Sequence, residues 1–64
     1  MSYHVTPSGK RWKIHRTGGK RALALHDTQE EAWKEAQRLA KEKRAVAYLH
    51  GVDGRIAKRV DYGN

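Results

Sequence analysis

The stretch "HDTQEEAWKEAQRLAKEKR", residues 26–44, decides how the rest of the chain folds. Thr28 and Glu31 stand at capping-box spacing: the threonine hydroxyl accepts from an early helical N–H while the carboxylate reaches back, so a helix is expected over residues 29–43. Ala32, Trp33, Ala36, Leu39 and Ala40 fall within about 120° of a helical wheel, while Lys34, Gln37, Arg38 and Lys41 face the other way. Acids (Glu30, Glu31) occupy the first turn and bases (Lys41, Lys43, Arg44) the last, which suits the helix dipole. One face of this helix packs and the other is wet. Its narrow apolar stripe needs a sheet to cover it.

Before the helix the period changes from 3.6 to 2. Tyr3 to Thr6 alternate, Pro7-Ser8-Gly9 carries turn chemistry, and residues 11–16 alternate again with Trp12 and Ile14 on one side and Arg11, Lys13 and His15 on the other. Gly18-Gly19 suits a tight primed hairpin turn, and a third strand is expected over Arg21 to Leu25, making residues 3–25 a meander. After the helix, Ala45 to His50 and Arg55 to Val60 flank the Asp53-Gly54 turn signal, giving a C-terminal hairpin over 45–60; Asp61 to Asn64 are expected to fray. The predicted fold is α+β, a single domain in the order β-β-β-α-β-β, with a twisted antiparallel sheet packed on one amphipathic helix. Trp12 and Trp33 are expected as core anchors rather than exposed stacking platforms.

At 64 residues without cysteine, one small core must close with no disulfide or thiolate–zinc staple. No apolar run approaches the roughly 20 residues of a membrane span, and "MSYHVTPSG" lacks a secretory apolar core, so a cytoplasmic protein is expected. No membrane partner follows from the hairpin either, because it has no greasy face to insert.

Several pieces, "YHVTP" (3–7), Trp12, "RALALHDTQEEAWKEAQRLA" (21–40), "HGVDGRI" (50–56) and "DYGN" (61–64), resemble DUF2188, a small bacterial and phage family. The combination of "YHV", "HDTQEEA" and "HGxDGRI" carries the resemblance. It implies the same order of elements and brings no catalytic or binding residues with it. Three strands leading into a helix are also similar to small DNA-binding domains at the front of some phage integrases, an architectural likeness that does not fix function.

No serine or threonine sits in a glycine-framed elbow with a base at a diagnostic spacing, and Gly18-Gly19 lacks any phosphate-loop pattern; catalysis, a cofactor and a small-molecule substrate are not expected. His4, His15, His26 and His50 show no metal-ligand spacing, so no metal is expected and their role is left open. The charge is more informative. Net charge is +7, and all of residues 1–26 contain six Lys/Arg without one Asp or Glu. If Trp12 and Ile14 face the helix, alternation turns Arg11, Lys13 and His15 onto an uncovered sheet face. Lys10, Arg11, Lys13, His15, Arg16, Lys20 and Arg21, with Arg55, Lys58 and Arg59 as a secondary strip, are therefore the candidate nucleic-acid-binding residues, duplex being favoured. The competing expectation is a homodimerising or protein-interaction module, because Ala22 to Leu25 and Ala45 to Leu49 are apolar on both faces.

Overall fold

The computed structural model describes residues 1–63. Strands β1 (Ser2–Ser8), β2 (Arg11–Arg16) and β3 (Ala24–His26) precede helix α1 (Gln29–Lys43), and β4 (Val46–His50) and β5 (Ile56–Asp61) follow it. The five strands form one sheet in the order β3-β2-β1-β4-β5. The chain is α+β, with the single helix laid across one face.

The sheet is mixed rather than antiparallel throughout. β1 runs antiparallel to β2 but parallel to β4, with His4 opposite Tyr48 and Val5 opposite Leu49. A 15-residue helix rises about 22 Å. It therefore carries the chain the full length of the sheet, and β4 starts where β1 starts and runs the same way. Parallel neighbours need such a crossover.

Tyr3, Val5, Ile14, Ala47 and Leu49 point from the sheet into the core, where they meet Ala32, Ala36, Ala40 and Ala45. Val5 and Ile14 are the largest fully buried side chains. Trp12, Trp33 and Leu39 are half-buried and flank this cluster rather than forming its centre. With only methyl groups on its inner face, the helix lies close to the sheet. That closeness settles the register of β3: Ala24 and His26 lie opposite Ile14 and Trp12, on the covered side, and the His26 Nε2 to Glu35 Oε1 distance is 2.6 Å. Leu23 and Leu25 are consequently left 48% and 52% exposed.

Three local expectations change. Pro7 lies inside β1, opposite Trp12, and the reversal falls on Gly9 at φ 62° and Lys10. A proline is tolerated there because pairing to β4 ends at Val5, so nothing asks for its missing N–H. The tight Gly18-Gly19 hairpin does not form: Gly19 N–H donates to the Arg16 carbonyl at 2.9 Å, the chain opens into a loop over 17–23, and Leu23 N–H rejoins the Ile14 carbonyl at 2.6 Å. Arg21 is thus a loop residue, and β3 is shorter and later than residues 21–25. The C-terminal end is also held further than expected, since Tyr62 N–H donates to the Ala45 carbonyl at 2.9 Å and its ring packs on the core. Asn64 lies outside the described residues.

The helix begins at Gln29, as its spacing predicts, with the Thr28 hydroxyl accepting from Glu31 N–H at 3.1 Å; the Glu31 carboxylate accepts from that same hydroxyl rather than reaching the Thr28 backbone. It ends on Arg44 in the left-handed region, φ 52°. Glycine normally holds that position because a Cβ strains it. Arg44→Gly should therefore raise stability by roughly 0.5–1 kcal/mol, whereas Ile14→Ala should cost roughly 2–5 kcal/mol; urea unfolding monitored by circular dichroism measures both.

Candidate nucleic-acid interface

Because the helix covers one face, alternation turns every second residue of each strand to the other. The register places Arg11, Lys13 and His15 of β2 there, beside Ser2, His4 and Thr6 of β1, Val46 and Tyr48 of β4, and Arg59 of β5. Among the described residues no second layer covers them. Across its middle runs a continuous row, His15–His4–Tyr48–Arg59, one residue from each of four neighbouring strands.

The row is internally stacked. The His4 and Tyr48 rings are 4.9 Å apart and 9° from parallel, His4 and His15 are 5.5 Å apart at 18°, and the Arg59 guanidinium lies 5.9 Å from the Tyr48 centroid. Faces are therefore occupied by neighbouring rings, and what this row offers outward is ring edges. Such a surface suits hydrogen bonding and charge better than base stacking.

His50, from the end of β4, joins the row at His4. Its Nδ1 is 3.1 Å from the Gly54 carbonyl oxygen, which can only accept, so in the neutral ring the proton sits on Nδ1 and Nε2 keeps its lone pair. His4 Nδ1, 3.0 Å away, then donates to that Nε2, and the free lone pair on His4 Nε2 accepts from the Thr17 hydroxyl at 2.8 Å. Thr17 is in turn hydrogen-bonded to Ser2. This directional chain links β1, the loop after β2 and the β4–β5 turn. That turn is itself closed by Gly54 N–H to the Gly51 carbonyl at 2.9 Å, Gly54 at φ 83°, and by Arg55 N–H to Asp53 Oδ1 at 3.1 Å.

The candidate cations do not all share this face. Lys13, Arg11, His15 and Arg59 lie on it. Lys10 sits in the β1–β2 turn and Arg55 in the β4–β5 turn at one end of the sheet, Lys20 and Arg21 in the 17–23 loop at the other. Arg16, opposite buried Tyr3, and Lys58, opposite buried Leu49, project to the helix side. Three of the arginines are matched by acids: Arg11 with Asp27 at 3.3 Å, Arg55 with Asp53 at 3.8 Å and Arg59 with Asp61 at 3.5 Å. The remaining acids, Glu30, Glu31, Glu35 and Glu42, belong to the helix, where Glu35 binds His26 and Arg38, and Arg38 also bridges to Glu42. Each described carboxylate of the strands and turns thus has an arginine beside it, while on the helix the four glutamates are interspersed with Lys34, Arg38, Lys41 and Lys43.

His26 on β3 reaches Glu35 in mid-helix, its Nε2 2.6 Å from Oε1. The hydrogen bond from His26, ahead of opposing burial and a contribution from Arg38, holds the Glu35 carboxyl below the usual range. Among the described residues no group of three or more His, Cys, Asp or Glu side chains could hold a metal ion, and no helix is long and apolar enough to cross a membrane. Sequence reasoning missed the His4–His50 pairing and the stacking with Tyr48. No local spacing reveals it, because the partners are joined only by the parallel β1–β4 register.

His4 titrates below its ordinary value, first because it is partly buried and then because His50 and His15 stand beside it. The folded state therefore binds a proton less readily than the unfolded chain, so stability is full above about pH 6.5 and falls as the pH drops through the lowered folded value. Thermal unfolding between pH 8 and 5 should show this decline, and His4→Gln should flatten it.

Compared with known proteins, residues 3–62 match the family model described as "Uncharacterized protein conserved in bacteria (DUF2188)". No curated protein and no solved structure matches.

Proposed function

We propose that this chain, which belongs to the bacterial DUF2188 family, is a non-catalytic nucleic-acid-binding protein of the cytoplasm that engages its ligand through the open face of the sheet. One observation carries the reading: among the described residues every carboxylate of the sheet layer, Asp27, Asp53 and Asp61, is matched by an arginine, while Lys13 and the imidazoles among the open-face side chains have no opposing charge. The face is bracketed at its two ends by Lys10 and by Lys20 with Arg21, so an extended polyanion lying across it meets positive charge along its whole path. The edge-on arrangement of the His15–His4–Tyr48 rings favours contact with phosphates and base edges over intercalation. Duplex is the preferred ligand on that ground.

Of the candidate residues, Lys10, Lys13, Lys20 and Arg21 are the principal phosphate contacts in this reading, with His15, Arg11, Arg55 and Arg59 supporting them. Arg16 and Lys58, turned to the helix side, contribute only to the general field. Four phosphate contacts give a slope of log K against log salt of about −3.6 on duplex DNA. Fluorescence anisotropy at several salt concentrations measures it, and Lys13→Ala with Lys20→Ala should bring the slope to about −1.8 while the circular dichroism spectrum is unchanged.

A second reading rests on the exposed leucines of the β3 edge. Leu25 lies opposite Lys13 on the open face, and Leu23 is exposed nearby. They suit a homodimer or another protein. Sedimentation at micromolar concentration separates the two: a dimer with no anisotropy change on any nucleic acid overturns the nucleic-acid reading, and Leu25→Ser then disperses the dimer.

A further inference from the structure

The three open-face histidines are not needed to explain a merely basic surface, and their arrangement has a thermodynamic consequence. His4 lies at the junction of everything around it. Facing it are His15 and Lys13 from β2, Tyr48 and His50 from β4, Arg59 with Asp61 from β5, the hydroxyls of Ser2 and Thr17, and, beyond His50, the β4–β5 turn with Asp53 and Arg55. The helix and its glutamates lie on the far side of the sheet. Among the described residues only Asp61 brings a negative charge to the row itself, and Arg59 already engages it at 3.5 Å.

In the unliganded protein the hydrogen-bond chain is complete with both His4 and His50 neutral. The Gly54 carbonyl fixes the His50 tautomer, His50 fixes that of His4, and the Thr17 hydroxyl turns its hydrogen to match. Adding a proton places charge beside Lys13, Arg59 and two further imidazoles without a carboxylate to share it. His4 resists protonation first because it is partly buried and then because His50 and His15 stand beside it. The incoming proton has somewhere to go: at His4 Nε2 it donates to the Thr17 oxygen, whose own hydrogen is free to rotate away. Geometry therefore permits the charged form, and partial burial and then the neighbouring imidazoles oppose it.

A phosphodiester seated over the row reverses the local field. We propose that docking of a nucleic-acid backbone on the open face draws a proton onto the His4–His15–His50 cluster, so that affinity for nucleic acid rises as the medium acidifies. The inference rests on the nucleic-acid reading above and assigns it a regulation. Linkage makes the coupling reciprocal: if the bound phosphate favours the protonated cluster, acid favours the bound phosphate.

Two measurements on the intact chain test it. The first is anisotropy with one duplex DNA at constant ionic strength between pH 5.5 and 7.5, with circular dichroism at each pH to establish that the chain is folded. A one-unit upward shift of a single group on binding raises K by at most about tenfold across this range. His4→Gln, His15→Gln and His50→Gln combined should abolish the rise. Lys13→Ala should weaken binding at every pH and leave the rise in place, and His26→Gln, on the covered side, should leave it intact as well. The second is titration calorimetry of the wild-type protein at pH 6.5 in two buffers of different ionisation enthalpy, where net proton uptake appears as a buffer-dependent heat. Binding that is independent of pH and of buffer overturns the proton coupling alone. Absence of binding at every pH overturns the nucleic-acid reading and the coupling with it.

Discussion

The fold depends on how closely α1 approaches the sheet. Ala32, Ala36 and Ala40 present only methyl groups, so the helix settles against Tyr3, Val5, Ile14, Ala47 and Leu49 with no large side chain of its own between them. Two half-buried residues, Trp33 and Leu39, close the flanks. In a chain this short, where there is little apolar surface to remove from water, that close seating is what makes a single layer of helix sufficient.

Close seating also dictates what cannot be buried. Beneath the helix β3 offers Ala24 and His26, and the leucines on either side of Ala24 turn outward. The opposite register would bury two leucines where the helix leaves room for an alanine. A one-residue slip exchanges the two faces of a strand, so a constraint imposed on one face of the sheet determines the chemistry of the other. In this way the alanine face of the helix helps to specify the open surface, although the helix does not touch it.

That surface combines two systems. One is electrostatic: arginines answer each sheet-layer carboxylate, and lysines remain unanswered. The other is a hydrogen-bonded and stacked row of rings that ties four strands together at mid-sheet. Cross-strand neighbours on one face interact over the strand spacing of about 4.8 Å, which is why rings at register positions stack so readily. The row also explains the well-held β4–β5 turn, since His50 reaches across to Gly54 while Asp53 secures the next amide.

The amino-acid sequence by itself determined the helix and its start at Gln29, the strand alternation that sends Trp12 and Ile14 one way and Lys13 and His15 the other, the Asp53-Gly54 turn, and the excess of base in the opening segment. These are local consequences of period, capping and turn chemistry, each legible within a few residues. Only the tertiary structure decided that β4 lies parallel beside β1, that the Gly18-Gly19 segment opens into a loop, that Arg16 and Lys58 leave the basic face, and that His4 meets His50. Those outcomes arise from pairing between segments some 40 residues apart and from the room left under the helix. No short window of sequence contains that information, because it is a property of which strand lies next to which.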